Sequence, residues 1–104
     1  MFYQQGDVLL DVVSEIPNGK VIKPGTRGVV LAEGEATGHF HGIADVEGVE
    51  MIESEDGSTY IKVSREVELK HQEHNTITLP PGLYRRRIVK EYDHLAEEAR
   101  EVVD

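Results

Sequence analysis

Short apolar segments cut by turn signals run along most of this chain, and that pattern predicts an all-β sandwich or barrel. Strands are expected over Asp7–Val13, Lys20–Lys23, Gly28–Ala32, Val46–Glu53, Ser58–Val63, Glu66–Lys70, Asn75–Leu79 and Leu83–Tyr92. Asn18-Gly19 is the kind of pair that closes a two-residue hairpin, because both positions tolerate positive φ, so the first two strands are expected to pair. Gly34 and Gly38 bracket the approach to a histidine pair and mark bends or a bulge. Glu55-Asp56-Gly57 joins two strands, and Pro80-Pro81-Gly82 makes a sharp turn into the last one. The tail departs from the pattern: Leu95, Ala99, Val102 and Val103 recur at helical spacing behind Asp93, a good N-cap, which predicts a short C-terminal α-helix.

At 104 residues and 11.6 kDa the chain has room for one domain with one modest core, taken as 1–104. No apolar run approaches the ~20 residues of a membrane span. The start of the chain has no basic segment ahead of an apolar one, so no signal peptide is read there and a cytoplasmic location is expected. A formal charge of -9 counts against DNA or RNA as a main partner, since phosphate binding draws on surplus Lys and Arg. Arg85-Arg86-Arg87 is the one dissent, but on a strand Arg85 and Arg87 share one face and Arg86 takes the other, which dilutes the cluster. Apolar strand edges would support a homodimer.

Candidate chemistry is concentrated in histidine. The chain has no cysteine, hence no thiolate nucleophile and no sulfur ligand, and histidines and carboxylates are left to carry any metal chemistry. Four of the five histidines fall in two tight groups, His39 and His41 in Thr37-Gly38-His39-Phe40-His41-Gly42, and His71 and His74 in Lys70-His71-Gln72-Glu73-His74-Asn75. On a strand His39 and His41 share a face roughly 6–7 Å apart, close enough for two imidazoles to reach one ion. His71 and His74 can join only if Gln72-Glu73 forms a turn or bulge. His94, among acids, reads as a surface residue. Glu35 and Glu73 are the nearest candidates for a general base or an outer-shell partner, although among 20 acids the ordinary surface reading of each is the favoured one.

An HxH pair on a strand, a later histidine and a Pro-Gly turn leading into a final strand resemble the cupin barrel. His71 and Asn75 match the His-x-x-x-Asn spacing of its second motif, while the Glu ligand that follows HxH in cupins falls here on Asp45, and Pro80-Pro81-Gly82 comes after the second histidine group rather than before it. The ordered features Gln5-Gly6-Asp7-Val8-Leu9-Leu10, Glu33 to His41, His71-Gln72-Glu73-His74 and Leu79 to Arg85, ending in Glu91-Tyr92, also resemble a family of small bacterial and phage proteins without an assigned activity.

The sequence thus predicts a single-domain, cupin-like β-barrel that binds one divalent transition metal, Zn, Ni, Fe or Mn, through His39, His41, His71 and His74. Such a protein would be a small metal-dependent enzyme or a module for a small-molecule ligand. The alternative is a non-enzymatic accessory protein whose histidines are structural. Fold resemblance alone assigns no reaction.

Overall fold

The structure, a computed structural model, describes residues 1–34 and 37–89. Ten strands follow in chain order: β1 Phe2–Gln5, β2 Val8–Val13, β3 Gly19–Ile22, β4 Val29–Glu33, β5 Phe40–Ile43, β6 Val49–Ser54, β7 Thr59–Val63, β8 Val67–Leu69, β9 Ile77–Leu79 and β10 Gly82–Ile88. All pairings between them are antiparallel. Six strands form one sheet in the order β1-β2-β10-β7-β6-β3, and the other four form the pairs β4-β5 and β8-β9. Reciprocal hydrogen bonds of 2.9 Å between Gly42 and Lys70 bridge these pairs. The second layer therefore runs β4-β5-β8-β9, and neither layer closes on itself as a barrel among the described residues.

Alternation on the strands supplies the core between the layers. Val8, Leu10, Ile61, Val63 and Tyr84 from the six-stranded sheet meet Val29, Leu31, Ile43, Val67, Leu69 and Leu79 from the other four strands. Leu10 is 1% exposed, so Leu10→Ala is expected to cost about 2–5 kcal/mol, from lost burial plus the cavity left behind. Denaturant unfolding measures this. A loss under about 1 kcal/mol would mean the core is not centred on these residues.

Two expectations about connectivity meet different fates. Glu55-Asp56-Gly57 does join a hairpin: Glu53 pairs with Thr59, and Gly57 takes φ 89°. Asn18-Gly19 does not. β2 has both edges taken, by β1 and β10, so β3 pairs instead with β6 across Gly19↔Ser54. Gly19 is small for another reason, because a Cβ there would run into the backbone of Glu53 and Ser54. Pro80-Pro81-Gly82 carries the chain from one layer to the other, and the Tyr84 hydroxyl donates to Pro80 O at 2.6 Å to hold that corner. Strand β1 was not anticipated, since Phe2–Gln5 shows no apolar run, while β5 covers His41 of the expected histidine strand and runs on to Ile43. The expected C-terminal helix lies outside the described residues. None of the described residues is helical, and no helix is long and apolar enough to cross a membrane.

Candidate functional site

The two histidine groups meet at one end of the molecule, beside the β1–β2 turn. β5 delivers His41, whose side chain is 2% exposed, and His39 stands just ahead of that strand. The chain bends over residues 72–74 after β8, as the second pair requires, and the Glu73 N–H donates to His71 Nδ1 at 3.0 Å within that bend. Ring centroids lie 4.3 Å apart for His41 and His71, 4.7 Å for His71 and His74, 5.7 Å for His39 and His71 and 6.0 Å for His41 and His74. The Phe40 N–H donates to Gln72 Oε1 at 2.9 Å and ties the two histidine segments together. Glycine makes the approach possible. A Cβ at Gly6 would stand 2.7 Å from His74 Nε2, and one at Gly34 would stand 3.0 Å from His71 Nε2.

Two residues that sequence reasoning did not single out complete the site. Gln5, buried in β1, donates from Nε2 to Leu69 O and Asn75 O, both at 2.9 Å. Its amide orientation follows from those two carbonyls, so Oε1 faces His41 Nδ1 at 2.8 Å and must accept from it. Neutral His41 therefore carries its proton on Nδ1 and presents a lone pair at Nε2. That nitrogen lies 3.4 Å from Asp7 Oδ1. Burial, reinforced by the positive charge His71 and His74 can carry, pushes His41 down from 6.5 to about 4, despite Asp7. At neutral pH a lone pair and a carboxylate thus face one another with no proton between them.

His71 differs. Because its Nδ1 accepts the Glu73 N–H, its proton sits on Nε2, and burial with the nearby His74 and His39 lowers its pKa. The His41 and His74 rings lie within 17° of parallel, whereas the His71 ring is tilted by 37° to His41 and by 52° to His74. Among the described residues no group of three His, Asp or Glu side chains stands in a metal-holding arrangement. Glu73 contributes a carboxylate 3.8 Å from His39 Nδ1 and is mostly exposed. Glu35 lies outside the described residues. Asp45, at the position of the cupin glutamate, is engaged elsewhere: Arg65 grips it at 2.7 and 2.8 Å, and it caps the Gly48 N–H. The three arginines of β10 disperse, with Arg87 paired to Asp11, Arg86 turned inward and Arg85 exposed.

His41 gives a pH dependence of defined sign. Its folded pKa lies below its unfolded value, so the unfolded chain takes up the proton first. Stability is full above 6.5 and falls as pH drops toward about 4, by about 3 kcal/mol for this group alone at about 1.4 kcal/mol per unit. Denaturation midpoints of metal-free protein across that range, compared with those of His41→Gln, check the sign. Equal slopes for the two proteins would refute it.

Fold and site define an all-β, two-layer domain with a histidine-lined end. The chain belongs to the family described as a domain of unknown function, DUF8820, whose model matches residues 4–89. No curated protein and no solved structure matches it.

Proposed function

We propose that this protein is a cupin-like module that binds one divalent transition metal at the histidine-lined end, with His41 as the anchoring ligand and His39, His71 and His74 drawn from beside it. The observation that carries the reading is the lone pair of His41 Nε2, locked in its tautomer by Gln5 and set 3.4 Å from the Asp7 carboxylate. A metal-ligating histidine typically donates its other ring N–H to a protein oxygen, and Gln5 is that oxygen here. A cation between Nε2 and Asp7 would relieve an otherwise repulsive contact.

The donor set fits such an ion. Imidazole nitrogens suit Zn, Ni or Fe, and a carboxylate in the shell moves the preference toward Fe or Mn. His41 is neutral at pH 7, so ligation there displaces no proton. His71 would need Nε2 free, which means giving up the Glu73 N–H, and it therefore ranks behind His41 and Asp7 as a ligand. With a coordination position open to water, an ion at this end would act as a Lewis acid or generate a hydroxide-like nucleophile. Asp7, 43% exposed, and the exposed Glu73 are then the carboxylates available to take up a proton, and a small-molecule ligand would enter beside them.

Metal content and equilibrium binding of untagged protein titrated with Zn, Ni, Fe and Mn test the proposal. Near-stoichiometric uptake of one ion is expected, and no uptake of any of the four overturns it. A second reading is favoured by the bonds that pin the loops together, Glu73 N–H to His71 and Phe40 N–H to Gln72. In it the histidines are structural, and the protein is a non-enzymatic accessory factor. That reading predicts no metal uptake but a marked loss of stability in His71→Ala.

A further inference from the structure

Arginine in this molecule mostly serves carboxylates. Arg27 grips Glu33, Arg65 grips Asp45 and Arg87 grips Asp11, each through two nitrogens. Arg86 is different. It shares the inward side of β10 with Tyr84 and Ile88, its Nη1 donates to Leu31 O at 2.7 Å, and its Nε is buried with no partner among the described residues. Losing water without full hydrogen-bond replacement is costly for a guanidinium. What offsets that cost lies in what its one bond holds.

Leu31 is the odd residue of a β-bulge. Val30 pairs with Gly42 and Ala32 pairs with His41, so Leu31 has no partner in the register. A bulge leaves its extra residue outside the ladder and re-aims the side chains around it. The strand it faces here carries His41. Arg86 reaches across from the opposite layer and donates to the Leu31 carbonyl at this bulge.

We propose that Arg86 is a positioning residue for His41: by clamping the Leu31 carbonyl it holds the β4 bulge at the pair next to His41, and so keeps that imidazole in register with Gln5, Asp7 and His71. A bulge free to migrate along β4 would let β5 exchange partners by one residue, the smallest slip that changes which face a side chain takes. Gly42, the next residue of β5, is also bound to Lys70, so a shift there would pass into the second histidine group as well. The link to metal affinity rests on the proposed function above, whereas the link to His41 geometry does not.

The test uses the full chain with Arg86→Met, which keeps the apolar stem and removes every donor, and Arg86→Lys, which restores one donor within reach of Leu31 O. Ile61→Val, a core change on β7 that removes no hydrogen-bonding group, controls for general destabilisation. One readout is exchange of the His41 Nδ1 proton and the ring nitrogen shifts in metal-free protein. The other is affinity for Co2+ alone as a spectroscopic probe. Arg86→Met is expected to speed that exchange at least about tenfold and to weaken Co2+ binding about 10- to 100-fold, the usual effect of losing an outer-shell support. Arg86→Lys should recover much of both, and Ile61→Val should change neither by more than about twofold. If Arg86→Met fails to fold, Arg86→Gln, too short to reach Leu31 O, takes its place under the same criteria. Wild-type exchange and shifts for His41 in the donor-deleted variant overturn the proposal. Absence of Co2+ binding in the wild type counts against the metal reading, and the exchange readout still decides for or against Arg86.

Discussion

With a metal held as proposed, a chain carrying His39→Ala and His41→Ala is expected to lose that binding by more than the roughly 10- to 100-fold that outer-shell changes cause. The physical reason lies in His41 rather than in the number of imidazoles removed. Its Nε2 lone pair is left free by a fixed partner, since Gln5 accepts the proton on the other side of the ring, whereas the His71 lone pair on Nδ1 is spent on the Glu73 N–H. His39 stands beside His71 at a centroid distance of 5.7 Å and adds a second, more exposed nitrogen. Equilibrium competition with a chromophoric chelator measures the loss. His41→Ala alone should account for most of it, and a double variant that still takes up one ion per chain with wild-type affinity would remove His39 and His41 from the ligand set.

Gln5→Leu is expected to be the most damaging single change near the site. Gln5 serves three groups at once, the Leu69 and Asn75 carbonyls and the His41 Nδ1 proton, and leucine leaves all three without it. Leu69 O and His41 Nδ1 are the buried pair, and at about 1–3 kcal/mol for each buried group left unsatisfied the loss should reach about 2 kcal/mol or more. It should also release the His41 tautomer, visible in the ring nitrogen shifts. Gln5→Glu separates the two roles, because a carboxylate still accepts from His41 but cannot donate to either carbonyl. Its stability should stay close to that of Gln5→Leu, while His41 keeps its proton on Nδ1. A loss below about 1 kcal/mol in Gln5→Leu would show that water replaces the amide there at little cost.

Much of the strand content was legible because β-strands announce themselves locally. β2, β4, β6, β7 and β10 each overlap a run that alternation and bounding turn residues marked out. What failed was partner choice. Asn18-Gly19 has the composition of a hairpin turn, yet β2 is occupied on both sides and Gly19 serves the close approach to β6 instead. Turn composition reports only what the backbone tolerates locally, whereas pairing depends on which edges remain free once distant strands have docked.

The candidate site divides in the same way. The histidines were visible because a scarce residue type was clustered, and the bend over residues 72–74 lets both members of the second group stand near His41. Asp45 illustrates the limit of motif spacing, since its carboxylate belongs to Arg65. Gln5 and Asp7 carried only one faint signal, their place around Gly6, whose φ of 58° turns the chain beneath His74.

By itself the sequence determined the elements that nearest neighbours decide: alternating strands, the glycine and proline turns, and two histidine groups in a chain without cysteine. The tertiary structure alone decided which strands pair, that Gln5 reads the tautomer of a histidine 36 residues away, and that Arg86 meets a bulge 55 residues distant. The reason is that a backbone dihedral preference is set within a few residues. A hydrogen bond between layers exists only after the core has brought remote strands to within about 3 Å of one another.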